Sequence, residues 1–218
     1  MTHTSIILSI LMFLLSASSF AQVGDMPKEE VVMHDVSLVE APAMNLPYAT
    51  IPDAPADYTS GNMLSRMIDG LGFRYHWVSE GLRAEDLAYR PSEDARSCRE
   101  TLEHIYGLSD VVLNGVKNAP NVRPVDFSVF SFQELRVMTL NNLKEASDLA
   151  RGMTAEQVSK LTIIFERNGK QSSSTFWHML NGPLADAIYH TGQVVSFRRS
   201  SGNPQRPGVN VFRGTVKK

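Results

Sequence analysis

Residues 60–82 read Ser-Gly-Asn-Met-Leu-Ser-Arg-Met-Ile-Asp-Gly-Leu-Gly-Phe-Arg-Tyr-His-Trp-Val-Ser-Glu-Gly-Leu. Leu64, Met67, Ile68, Leu71, Tyr75, Val78 and Leu82 recur at three- and four-residue steps, which puts them on one face of a helix. Gly81 stands near its expected end. Working outward, the same period returns three more times. After a loop ending in Arg90-Pro91, Ser97-Cys98-Arg99-Glu100 has the form of a capping box: serine accepts from the backbone three residues on and glutamate reaches back. It opens a second helix carrying Leu102, Ile105, Val112, Leu113 and Val116. Ser131-Phe132-Gln133-Glu134 repeats the device for a third, with Leu135, Met138, Asn142, Ala146 and Leu149, ended by Gly152.

Residues 160–167 change period. They are β-branched and aromatic and run into Asn168-Gly169, a pair that tolerates positive φ, so they predict a small β-hairpin. Ser172 to Thr175 offer N-caps for a last helix from about Phe176 to Arg199. Pro183 predicts a kink in it, or a restart capped by Asn181. The fold expected is all-α: an antiparallel four-helix bundle over residues 60–200, with a small β-hairpin before the last helix.

The flanks differ in kind. The apolar run Ile6–Leu15, broken only by Ser9, is too short to span a membrane. Small residues before a cut after Ala21 complete the pattern of a secretory signal peptide, residues 1–21. No Lys or Arg precedes the run, and an uncleaved anchor is the competing reading. Residues 22–59 hold five of the eleven prolines and are expected to be an extended leader. A tail, 201–218, follows the last helix. The protein is expected to be exported, periplasmic or secreted, with no membrane span once the signal is removed.

Composition removes several functions. With 21 Lys and Arg against 23 Asp and Glu, phosphate neutralisation cannot drive binding, so no nucleic-acid partner is expected. One cysteine, Cys98, permits no internal disulfide and no CxxC site. It sits at a helix start, where the dipole lowers a thiol pKa, but no histidine is near in sequence, so a nucleophilic role is a poor reading. A bound metal must therefore be held by histidines and carboxylates.

Of the six histidines, His76 fits a packing role beside Tyr75 and Trp77. His104 shares an inward face with Leu108 and Val111. His190 follows Asp186 by four residues, which places imidazole and carboxylate side by side on one helix face. Two histidines and a carboxylate suit Zn, Ni, Fe or Mn as the divalent ion. A structural Asp186–His190 pair is the alternative that the spacing leaves open. His178, eight residues before Asp186, is a candidate fourth ligand or base. Gln193 is placed for an outer hydrogen bond. Arg198 and Arg199 could attract an anion, although the negative end of their own helix accounts for them better.

Glu103-His104-Ile105 after an Arg-Pro loop, and Asp186-Ala-Ile-Tyr-His190-Thr-Gly192-Gln193, resemble the DinB-like (YfiT-like) four-helix-bundle superfamily. The likeness extends over about 140 residues. It implies a divalent metal held by His104, His190 and the residue four before it, here Asp186 where most members carry histidine. The substitution lowers the charge of the site by one. Active members share an ion that lowers the pKa of a bound thiol or water, and they include thiol-dependent transferases and an isomerase. The function expected is that of an exported, metal-dependent hydrolase or transferase acting on a small molecule, with a homodimer as a further partner expectation. The competing reading is a non-catalytic exported bundle, a binding or stress-related module in which Asp186 and His190 are structural.

Overall fold

The computed structural model describes residues 45–217; the signal-peptide segment and the first half of the leader lie outside them. Four long helices carry the body: α1 (Ser60–Ser79), α3 (Cys98–Lys117), α4 (Phe132–Ala150) and α7 (Ala185–Ser200). Helices α1 and α3 each pack against both α4 and α7. The short helices α2 (Ala84–Ala88) and α5 (Ala155–Ser159) lie in the connections.

The helices begin where the caps require. Ser97 Oγ accepts from the Glu100 amide at 3.1 Å while Glu100 Oε2 accepts from the Ser97 amide at 2.7 Å. Ser131 and Glu134 make the same pair of bonds, at 3.2 and 2.7 Å. Gly81 and Gly152 follow α1 and α4 at φ 64° and 79°, a conformation glycine adopts without Cβ strain. The predicted face of α1 is buried through Leu64, Ile68, Leu71, Tyr75 and Val78, whereas Met67 is 41% exposed. On α4 the face is turned from the expected one: Leu140, Leu143 and Ala150 join Leu135 and Ala146 in the core, and Leu149 is exposed. Its true stripe mixes Thr139 and Ser147 with the apolar residues, which blurs the period in sequence.

The hairpin pairs β2 (Thr162–Arg167) with β3 (Lys170–Thr175), turning at Asn168-Gly169, both at positive φ. A third strand, β1 (Pro120–Arg123), adds in parallel to β2. Four residues beginning at a proline are too short to show alternation, so the sequence does not announce it. Ser172 to Thr175 prove to be strand rather than helix caps; their backbone pairs with β2. The last helix starts instead as a single turn, α6 (Trp177–Met179), without a side-chain cap. A π turn (Leu180–Leu184) then contains Pro183 and a non-helical Gly182, φ −94° and ψ −109°. The kink expected at Pro183 is present, and Asn181 does not cap α7.

Residues 45–59 form neither helix nor strand and lie on the body. Tyr48 is buried over Gly72, where any Cβ would overlap its ring, and donates to Asp69 Oδ1 at 3.2 Å. The His76 ring meets the Pro47 carbonyl at 2.7 Å through Nδ1, and Trp77 Nε1 donates to the Ala49 carbonyl. His76 is thus a packing residue, and burial lowers its pKa. The tail forms a two-stranded ribbon, β4 (Val209–Asn210) and β5 (Thr215–Val216), tied to the leader by a bond from the Ile51 amide to the Gly214 carbonyl. No helix among the described residues is long and apolar enough to cross a membrane.

Candidate metal centre

The Glu100 cap starts α3 so that His104 follows one turn later, facing α7. The break at Gly182 restarts α7 immediately before Asp186, and the regular helix beyond carries His190 one turn on. The two helices therefore bring together residues 82 positions apart. His104 Nε2 lies 3.1 Å from Asp186 Oδ2, and His190 Nε2 lies 3.3 Å from Asp186 Oδ1. The imidazole rings stand edge to face with centroids 4.6 Å apart. One donor atom from each residue lies within 4.8 Å of the others, so the group could hold a metal ion. His190 is the most enclosed, its side chain 12% exposed, against 31% for His104 and 42% for Asp186.

The surroundings prepare the donors. Burial, more than any other influence, lowers the His104 pKa, against the opposing effect of the hydrogen bond the ring makes to Asp186. The Nδ1 atom of His190 is 2.7 Å from Gln193 Oε1, and Gln193 Nε2 donates to the Tyr189 hydroxyl at 3.3 Å. A Gln193 oxygen that accepts from Nδ1 leaves Nε2 of His190 as the nitrogen on the Asp186 side. Only the His104 contact has hydrogen-bond geometry. The donor set fits a divalent transition metal, with two imidazoles and one carboxylate in reach of a common point.

The other residues singled out in the sequence fall elsewhere. His178 is exposed on α6 and is not part of the cluster. Eight residues of continuous helix would have put it on the Asp186 side, but the π turn and Gly182 break the phase. Cys98 is fully buried, and burial pushes its thiol up to about 12, so it is no nucleophile. Arg198 does not attract an anion and does not serve its own helix end. Buried at 4% exposure, it donates through Nη1 to the carbonyls of Trp77, Val78 and Glu80 and so closes the C-terminus of α1. Arg199 is exposed. Gln193 holds the place expected of it. Tyr189, which steadies the Gln193 amide, was not foreseen; an exposed aromatic beside a histidine carries no signal in sequence.

No family model matches the chain, and no curated protein matches it. Among solved structures it is similar to the crystal structure of a DinB-like protein from Bacillus subtilis, with 17% identity and a TM-score of 0.49, over 66% of this chain and 99% of that one.

Proposed function

We propose that the chain is an exported protein of DinB-like type, an antiparallel four-helix bundle with a hairpin before its last helix. It binds one divalent transition metal through His104, Asp186 and His190 and acts on a small molecule as a metal-dependent hydrolase or transferase. The observation that carries this is that two helices bring one donor atom each from His104, Asp186 and His190 within 4.8 Å of one another. A bound ion would supply Lewis acidity, lowering the pKa of a coordinated water or thiol. The chain's own part is to orient the imidazoles: Gln193 bonds the far side of the His190 ring, and burial lowers the His104 pKa. Export rests on the apolar run and Ala21, which lie outside the described residues.

The structural alternative gains one observation: Asp186 touches both histidines. Against it stands the exposure of Asp186, 42%, because an ion pair so open to water adds little to stability. The deciding experiment is metal content by plasma mass spectrometry of the untagged mature chain, beside His104→Ala and His190→Ala, after exposure to Zn, Ni, Fe or Mn. Near-stoichiometric metal in the wild type and its loss in both variants is expected. A wild type that takes up none of the four ions overturns the reading.

A further inference from the structure

A cleft of about 430 Å³ opens beside His104. Its walls are the loop of residues 90–96, the first two turns of α3 and the ring of Phe127. The charged groups lining it are Arg90, Asp94, Arg96, Glu100 and Glu103. Most are already engaged. Arg90 meets Glu100 at 2.9 Å and also donates to the Ala95 carbonyl, and Arg99 holds Glu103 at 2.7 Å. Glu100 is kept ionised, its pKa lowered first by the Ser97 amide and then by Arg90, so Arg90 is not released. Arg96 is different. It is exposed and, among the described residues, makes no hydrogen bond and no ion pair. Asp94 is likewise exposed and unpaired.

The position of Arg96 is set by its neighbour. Ser97, the N-cap of α3, is bonded to Glu100 in both directions, so the residue before it leaves the helix in a fixed direction. Arg96 and His104 both line the cleft, eight residues apart in the chain. With a divalent ion on two neutral imidazoles and one carboxylate, the centre carries one net positive charge. An anion in the cleft then lies between the centre and the unpaired Arg96 guanidinium, with the Phe127 ring as an apolar wall and Asp94 as the opposing charge that no partner engages.

We propose that Arg96 recognises the acid group of an anionic small molecule, an organic acid of a few carbons, whose other end reaches the His104–Asp186–His190 centre. This rests on the metal reading above and adds the substrate class. Guanidinium suits the task because its fork matches a carboxylate with two parallel bonds.

The test uses the mature chain loaded with Co²⁺, with metal content measured first and succinate and acetate titrated by calorimetry. Succinate can span from the ion toward Arg96; acetate can occupy only one end. In Arg96→Ala, succinate affinity should fall by about tenfold to a hundredfold, the range for a hydrogen bond to a charged group. Acetate affinity and the Co²⁺ absorption spectrum should stay as in the wild type, and Arg96→Lys should recover part of the loss. Asp94→Asn should bind succinate at least as well as the wild type. Equal succinate affinity in Arg96→Ala with full Co²⁺ content overturns the inference alone, as does a loaded wild type that binds no succinate. A wild type that takes up no Co²⁺ removes the metal reading and the inference with it.

Discussion

Asp86 and Asp186 are both aspartates on which several side chains converge, and their surroundings make them opposites. Asp86 is fully buried. It accepts from the Arg83 amide at 2.8 Å, from Arg83 Nε and Nη2 at 3.0 and 2.9 Å, from Ser201 Oγ at 2.6 Å and from Asn203 Nδ2 at 2.6 Å. Every lone pair is used, and the carboxylate ties the start of α2 to the chain just past α7. Asp186 is open to water and faces two imidazole nitrogens, only one of them in hydrogen-bond geometry. A saturated carboxylate holds a fold together; one left with acceptor capacity beside two imidazoles has ligand chemistry. Asp69 belongs with Asp86, since Ser147 donates to it at 2.6 Å and Arg151 pairs with it at 2.9 Å.

That contrast breaks most directly at Asp86 itself. Asp86→Ala leaves buried donors without an acceptor and should cost about 3 kcal/mol, read as a lower melting temperature with metal content unchanged. His190→Ala should do the reverse. Its far helix termini and core are untouched, so the apo melting point should hold, while metal affinity falls more than a hundredfold, beyond what an outer partner contributes. Gln193→Ala tests that outer partner and should weaken metal about tenfold to a hundredfold with unchanged circular dichroism. Asp186→Ala should change the apo fold by less than about 1 kcal/mol; a loss as large as that of Asp86→Ala in chemical denaturation would make the two aspartates alike and return Asp186 to a structural role.

The pH dependence sharpens the comparison further. Hydrogen bonds, led by the Arg83 guanidinium, hold Asp86 well below the usual carboxylate range. A depressed folded pKa means stability that is complete above the unfolded value, near 4, and is lost as pH falls through the folded one. Denaturation midpoints of wild type and Asp86→Ala should therefore converge in strong acid and stay apart at pH 7. A gap that persists unchanged below pH 2 would contradict the assignment.

How much of this could be read without the tertiary structure differs from element to element. The starts of α3 and α4 could, because Ser97-Glu100 and Ser131-Glu134 are local bonds whose partners lie three residues apart. Asn168-Gly169 could, because its backbone demand is local too. The face of α4 could not, since Thr139 and Ser147 interrupt the apolar stripe and are buried only because Thr139 returns its hydroxyl to the Leu135 carbonyl and Ser147 meets Asp69. Nor could Ser172 to Thr175: a serine run serves a helix cap or an exposed strand equally well, and only the adjacent β2 decides. The place of His178 could not either, since the π turn and Gly182 between it and Asp186 set the phase of the two segments.

The four long helices, the hairpin turn and the placing of Asp186 beside His190 are legible in the sequence, because contacts within a turn or two of chain set them. Packing alone sets the distance from His104 to Asp186 across 82 residues, the closing of α1 by Arg198, the cover that residues 45–59 give the body and the unpartnered Arg96 beside the cleft. The physical reason is range. Caps, turns and i,i+4 neighbours are fixed by backbone geometry, whereas a three-residue donor set exists only once packing has set the distance and rotation of one helix against another.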